Sequence, residues 1–314
     1  MDFLDNRRVL ITGISGFTGT HLSHSLAAAG WEVLGLGQHR LHAGDAHLDA
    51  DLLDTVKIAD WLVNARPTHI VHLAALAHVV GDPLSFYRTN VLGTESLLEA
   101  IAAAGLKPRK VILASSANIY GNAQRSPIRE SDPIKPVNHY ALSKAAMEMV
   151  AMKWFGRMPI IIVRPFNYTG PGQSEAFVFP KIVAAFQRRD PVLRLGNLDV
   201  ARDLSDIRFI VEAYVRLLIS DAVSEAFNIC SGRSVTLLSV LDLMADVAGY
   251  RPEIEIDPTF VRRDEIKDLC GDPSRLVERV GPIDPIPLRE TLVSMYNAFG
   301  EQGPAISCAS NLRN

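Results

Sequence analysis

In the first half of the chain the hydrophobic positions fall into short unbroken runs. Arg8–Thr12, Glu32–Leu36, His69–Leu73, Lys110–Ser115 and Pro159–Arg164 are rich in Val, Ile and Leu and do not alternate with polar residues. Runs of this kind predict strands buried on both faces. Helical patterns lie between them at about Gly16–Ala29, Asp54–Ala65, Ser85–Ala104 and Tyr140–Gly156. Strands and helices alternating through short links predict right-handed crossovers and a doubly wound parallel sheet of the α/β class.

The rhythm changes after Arg164. The Gly-, Pro- and Asn-containing stretch Phe166–Gly172 reads as a loop. A helix near Phe177–Arg188, a strand or two within Val192–Leu204, a helix near Ile207–Ser220 and a strand at Ala226–Cys230 follow. Next come a helix near Thr236–Ala248, a strand at Glu253–Ile256, Pro-rich punctuation from Pro273 to Pro287 and a helix at Leu288–Ala298. The expected division is a first domain of residues 1–171 plus about 205–232, and a smaller one of residues 172–204 plus 233–299. Residues 300–314 are small and polar and read as a disordered tail.

Composition narrows the class. With 48% hydrophobic and 21% charged residues in 314, the chain reads as a globular protein with a large core. A net charge of −3 gives no general attraction to nucleic acid or anionic membranes. Cys230, Cys270 and Cys308 lie far apart without metal-ligand spacing, which argues against a disulfide framework and against a metal site. Reduced thiols, a polar start at Met1–Arg8 and no long apolar run predict a cytoplasmic protein.

The first chemical signal is Gly13-Ile14-Ser15-Gly16-Phe17-Thr18-Gly19, between the first strand and the first helix. Glycines permit a tight turn and close approach of backbone to a pyrophosphate, and the helix N-terminus supplies N–H groups and a favourable dipole. The end of the second strand, Gly35-Leu36-Gly37-Gln38-His39-Arg40, lacks the carboxylate that binds an NAD ribose, and Arg40 offers a partner for a 2′-phosphate. This favours NADP(H), with NAD(H) still usable. Asp51-Leu52 reads either as an adenine contact or, at Asp51, as a helix cap.

The second signal is Tyr140-Ala-Leu-Ser-Lys144. Residues four apart share a helix face, and a nearby ammonium is expected to lower the Tyr140 pKa and fit it for acid/base work. Ser115-Ser116 closes the fourth strand, at the edge of an open α/β sheet where ligands bind.

Taken together these pieces resemble the extended short-chain dehydrogenase/reductases that act on nucleotide sugars. Supporting stretches are His72-Leu73-Ala74-Ala75, Asn90-Val-Leu-Gly93-Thr94, Ser115-Ser116…Tyr120-Gly121 and Arg164-Pro-Phe-Asn167…Gly170-Pro171-Gly172. The resemblance implies a Rossmann domain with a smaller α/β substrate-binding domain, and a catalytic set of Ser116, Tyr140 and Lys144. It also implies cofactor contacts from Gly13, Ser15, Gly16, Phe17, Thr18, Gly19, Leu73, Ala74, Ala75, Tyr140, Lys144 and Phe166, and a homodimer through the helices at about Ser85–Ala104 and Tyr140–Gly156.

The second half is similar to GDP-mannose 4,6-dehydratases and GDP-4-keto-6-deoxy-mannose reductases. By that resemblance Arg202 and Arg262 grip the diphosphate and Glu265 meets the GDP ribose. Asn118, Asn167, Val178, Lys181, Leu195 and Asn197 line the substrate side. His78 reads either as a sugar contact or as a packed histidine. Similar dehydratases carry a carboxylate two residues after the catalytic Ser/Thr, often with another beside it, whereas Ala117 and Asn118 stand here. That disfavours dehydration, and the missing acid at Gly37 weakens a 4-epimerase. An intact Tyr and Lys argue against a non-catalytic NADP sensor. The expected activity is NAD(P)H-dependent reduction at C4 of GDP-4-keto-6-deoxy-D-mannose, to GDP-D-rhamnose or its epimer GDP-6-deoxy-D-talose.

Overall fold

The computed structural model describes residues 7–38, 46–77, 82–261 and 266–301. The N-terminal part runs β1 (Arg8–Thr12), α1 (Phe17–Ala28), β2 (Glu32–Leu36), β3 (His47–Leu48), α2 (Thr55–Ala65) and β4 (His69–His72). It continues through α3 (Leu84–Tyr87), α4 (Gly93–Ala103), β5 (Lys110–Ala114), α5 (His139–Met152), β6 (Ile160–Pro165) and β7 (Asn167–Thr169). Then follow α6 (Val178–Arg188), β8 (Val192–Leu195), β9 (Ala201–Asp206), α7 (Ile207–Ile219), β10 (Glu225–Ile229), β11 (Ser234–Thr236) and α8 (Leu237–Ala248). The chain closes with β12 (Glu253–Ile256), β13 (Asp268–Leu269), α9 (Ser274–Val280) and α10 (Leu288–Glu301).

Seven strands form one parallel sheet in the order β10-β6-β5-β4-β1-β2-β3. The chain leaves β1 in one direction to β2 and β3, and later in the other to β4, β5 and β6. The carboxyl ends of β1 and β4 therefore flank the crevice where open α/β sheets bind ligands. Two apolar clusters contain residues from alternate positions of the central strands. One joins Val9, Ile11 and Val71 to α1 and α7; the other joins Leu10, Ile70 and Val111 to α2, α4 and α5. Burial on both faces accounts for the unbroken Val, Ile and Leu runs.

A smaller unit holds a third cluster, built from α6, α8, α10 and β8. In it β11 and β13 flank β9, which also pairs with β7, and β12 pairs with β8. Asp203 on β9 is fully buried and ties this unit to the end of the main sheet. Its carboxylate accepts from the Ser231 N–H at 2.8 Å, the Ser231 hydroxyl at 2.7 Å and the Gly232 N–H at 2.8 Å.

Four departures from the sequence pattern bear on the site. The stretch Phe166–Gly172 contains β7, whose pairing partner lies some forty residues on. The single helix expected over Ser85–Ala104 is split by a π-helical turn, Arg88–Leu92. The Pro-rich stretch from Pro273 contains α9. The last helix runs to Glu301, and the remainder of the expected tail, with Cys308, lies outside the described residues.

Candidate active site

The glycine loop leaves β1 with Gly13 at φ +68°, a conformation that a side chain disfavours. Its N–H donates to the Leu36 carbonyl at 2.9 Å, and a Cβ there would lie 2.8 Å from the Ala74 nitrogen. A Cβ on Gly19 would meet the Ile14 carbonyl oxygen at 2.6 Å. The loop is thus pressed against the Leu73–Ala74 segment and against itself, with Ser15 and Gly16 exposed. Gly16 caps α1 in an extended conformation without a side-chain acceptor, so first-turn N–H groups face outward. This is a cradle shaped for a diphosphate. Phe17 stacks on Tyr168 at 6.1 Å, and the Thr18 hydroxyl meets the Tyr168 hydroxyl at 2.8 Å, which fixes the start of α1 to β7.

At the far end of the crevice His47, to which sequence reasoning assigned nothing, places Nε2 3.0 Å from the Gly37 carbonyl. Arg40 lies outside the described residues, as do His78, Arg262 and Glu265. Asp51 accepts from the Leu53 N–H at 3.0 Å, while Asp54 caps α2. The capping role considered for Asp51 therefore belongs to Asp54. Leu52 is buried beneath Gly93. The Phe166 ring is buried in a core cluster, stacked on Tyr120 at 6.3 Å.

Ser116, Tyr140 and Lys144 come together at the carboxyl edge of β5. Asn138 starts α5 by accepting from the Ala141 N–H at 2.9 Å, which places Tyr140 in the first turn and Lys144 one turn on. Ser116 begins a 3₁₀ turn, Ala117–Tyr120, and its hydroxyl accepts from the Asn118 N–H at 3.2 Å and lies close enough to the Tyr140 phenol to favour its ionised form. Lys144 is buried and donates to the Ala114 carbonyl at 2.7 Å. Burial pushes the phenol of Tyr140 up to about 12, against the nearby Ser116 hydroxyl. The expected lowering by Lys144 does not prevail, because burial decides the direction. Lys144 itself is held down at about 8 by burial, with the Glu148 carboxylate opposing. Tyr140 is therefore a neutral phenol at pH 7, the protonation state of a general acid.

Around this set lies a closed polar chain. The Ala74 N–H donates to Thr12 Oγ1 at 3.1 Å, and Thr12 Oγ1 lies 2.7 Å from His72 Nδ1. His72 Nε2 lies 2.9 Å from Thr94 Oγ1, whose hydroxyl donates to the Asn90 carbonyl. The Asn90 amide accepts from the Leu76 N–H, and donates to the Leu76 carbonyl and to the Ser143 hydroxyl. Ser143 in turn donates to the Tyr140 carbonyl at 2.7 Å. The network joins the Ala74 segment, which abuts the glycine loop, to α5. Nothing in sequence spacing shows it, because its members are scattered over five elements.

The residues expected on the substrate side sit on several elements. Lys181 donates to the Arg194 carbonyl at 2.8 Å and lies over the Phe260 ring at 3.8 Å. Arg202 donates to the Ala201 carbonyl at 2.8 Å, while the neighbouring Asp203 serves the Ser231 loop. Asn167 starts β7, Val178 is exposed at the start of α6, Leu195 is buried, and Asn118 and Asn197 are half-buried. Among the described residues no group of three His, Cys, Asp or Glu side chains is disposed to hold a metal ion, and no helix is long and apolar enough to cross a membrane.

A parallel doubly wound sheet with a glycine cradle at β1 and a Ser/Tyr/Lys set at β5 and α5 defines an extended short-chain dehydrogenase/reductase. Residues 10–295 match the family described as GDP-mannose 4,6 dehydratase, and the chain belongs to it. It is 35% identical over 276 residues to GDP-6-deoxy-D-talose 4-dehydrogenase of Aggregatibacter actinomycetemcomitans, covering 87% of this chain and 91% of that one. It is 33% identical over 300 residues to GDP-6-deoxy-D-mannose reductase of Pseudomonas aeruginosa, covering 91% and 95%. Among solved structures, RMD from Pseudomonas aeruginosa complexed with NADPH superposes with a TM-score of 0.84 at 30% identity, over 95% of this chain and all of that one.

Proposed function

We propose that this protein is an NAD(P)H-dependent oxidoreductase acting at C4 of a GDP-6-deoxyhexose, reducing the C4 ketone of GDP-4-keto-6-deoxy-D-mannose. The observation that carries the reading is the pairing of Ser116 with a neutral Tyr140 beside the glycine cradle, with Ala117 and Asn118 where a dehydratase needs carboxylates. The relatives' names, a talose 4-dehydrogenase and a mannose reductase, support the GDP-sugar and the C4 position. The product is GDP-D-rhamnose or its C4 epimer GDP-6-deoxy-D-talose.

The residues divide the work simply. Ser15, Phe17 and Thr18 hold the diphosphate of the dinucleotide through backbone N–H groups and the helix end, while Gly13 and Gly16 let the loop approach it closely. When bound, the reduced nicotinamide supplies the hydride. Ser116 hydrogen-bonds the C4 oxygen and Tyr140 gives it a proton as negative charge develops there. Lys144 stabilises the resulting phenolate by its charge and meets the nicotinamide ribose. Lys181 and Arg202, with Arg262 and Glu265, serve the GDP. The lack of an acid at Gly37 favours NADPH over NADH, with Arg40 as the partner for the extra phosphate.

The test is to follow loss of reduced-nicotinamide absorbance with GDP-4-keto-6-deoxy-mannose, offering NADPH or NADH, and to identify the sugar by NMR. Oxidation of either cofactor with a 6-deoxyhexose product is expected; no oxidation with either overturns the reading. We further propose that the protein works as a homodimer. Leu142, Met149 and Met152 present one apolar face of α5, and Leu92 adds to it ahead of α4. Met149→Glu is expected to shift the protein to half its mass in sedimentation, and an unchanged mass would remove this interface.

A further inference from the structure

One buried ion pair takes no part in the scheme above. Glu148 and Arg164 are both almost wholly buried. The guanidinium grips the carboxylate at two points, Nε to Oε1 at 3.0 Å and Nη2 to Oε2 at 2.7 Å. Its remaining nitrogen, Nη1, donates to the Tyr120 hydroxyl at 2.8 Å and to the Glu130 carbonyl at 3.0 Å. Tyr120 donates onward to Asn228 Oδ1 at 2.8 Å. Arg164 thus joins three pieces: its own strand β6, the catalytic helix α5 through Glu148, and the turn that begins at Ser116 through Tyr120.

Position matters as much as pairing. Glu148 follows Lys144 by four residues on the same helix, the spacing at which a carboxylate and an ammonium readily meet. An unheld Glu148 would draw the Lys144 ammonium away from the Ala114 carbonyl and towards itself. Both carboxylate oxygens are instead occupied by Arg164. A buried pair of this kind adds little net stability compared with apolar residues of the same shape, so its value here lies in geometry.

We propose that Arg164 is a positioning residue: by capturing Glu148 it keeps that carboxylate off Lys144, leaving the ammonium on Ala114 and available to Tyr140 and the cofactor ribose. The charged and titratable groups around Lys144 are Glu148 and Tyr140 on α5 and His72 from β4. Those around the pair are Tyr120 and the Glu130 loop. Burial lowers Lys144 and Glu148 raises it, so a freed Glu148 moves Lys144 upward.

The kinetic arm rests on the reductase reading; the titration arm does not. The proton on Lys144 is followed by NMR of ¹⁵N-labelled ammonium groups, assigned with Lys144→Met, in wild type, Arg164→Gln, Arg164→Lys and the double variant Glu148→Gln/Arg164→Gln. Arg164→Lys retains the buried charge but offers one ammonium in place of a fork. It serves where Arg164→Gln does not fold. Expected are an upward shift of the Lys144 titration and of the alkaline limb of kcat in the single variants, with kcat at least tenfold lower. The double variant is expected to return the titration to or below the wild-type value and to recover at least threefold in kcat. An unmoved Lys144 titration in the folded single variants overturns the proposal, as does a double variant no better than Arg164→Gln. Wild-type protein that fails to turn over the GDP-sugar sinks the functional reading alone, since the titration still decides the role of Arg164.

Discussion

At the scale of single residues, the site separates proton transfer from charge stabilisation. In the mechanism we propose, Tyr140 carries the proton, Ser116 aligns it, and Lys144 supplies positive charge from one turn away. Tyr140→Phe removes the donor but keeps the ring and the Lys144–Ala114 contact. Turnover is expected to fall about 10²–10⁴-fold, while cofactor affinity, read by quenching of protein fluorescence, stays within about twofold because no diphosphate contact is touched. Turnover close to wild type would show that Tyr140 is not the acid. The triad was legible in the sequence because Tyr140 and Lys144 lie at a local, helical spacing and Ser116 closes a strand. Glu148 had the same spacing to Lys144 but no visible partner, because Arg164 reaches it only through the fold. The direction of the Tyr140 shift was missed for a related reason. Burial of a phenol is a property of everything packed around it, and here it outweighs any effect of the Lys144 charge.

At the scale of elements, what could be read was what the chain does locally. β1, β2, β4, β5 and β6 declare themselves because burial on both faces demands unbroken apolar runs. β3, β7, β11 and β13 have two or three residues each and exist only through their partners. The π-helical turn before α4 interrupts a helix whose apolar spacing looked continuous, and it carries Asn90, which bonds both backbone groups of Leu76. The glycine loop permits a controlled test. Gly13 and Gly30 both have positive φ, but a Cβ at Gly13 would press on the Ala74 backbone whereas one at Gly30 meets nothing within 4 Å. Gly30→Ala is expected to lose about 1–2 kcal/mol of stability from the left-handed backbone, and Gly13→Ala to lose more, because its Cβ also displaces the Ala74 backbone. Only Gly13→Ala is expected to weaken cofactor binding as well, by about tenfold, or ~1.4 kcal/mol. Equal cofactor affinity in the two variants, measured by calorimetry, would mean that the close approach of the loop to Ala74 does not shape the cofactor site.

At the scale of the whole molecule, two buried histidines couple the sheet to pH. His72 lies between Thr12 and Thr94, and its neutral form suits them: Thr12 receives the Ala74 N–H and gives its proton to Nδ1, while Nε2–H goes to Thr94. Burial, with Lys144 nearby, holds His72 down at about 3. His69 packs edge-on against Trp31 at 4.8 Å, and burial with the Arg109, Lys110 and Arg7 charges holds it at about 4. Unfolded, both titrate at about 6.5. Below that value the unfolded chain takes up protons that the folded protein refuses, so stability falls with pH, steepening towards about 1.4 kcal/mol per unit for each histidine. The loss flattens only as pH passes the folded values. Between pH 7 and 5 the two together are expected to cost about 4 kcal/mol. Asp206, Asp257 and Asp272 are lowered from 3.8, so their stabilisation is lost only below that window. Urea unfolding across pH 5–7 measures the slope directly. His72→Gln keeps one donor and one acceptor but cannot titrate; it is expected to start less stable at pH 7 and to lose about half as much on acidification. A variant whose slope matches wild type would show that His72 is not the group that titrates. The same neutrality serves the site, since a charged His72 would repel the Lys144 ammonium. The contact that makes the sheet sensitive to acid is therefore the one that leaves Lys144 as the cation beside Tyr140.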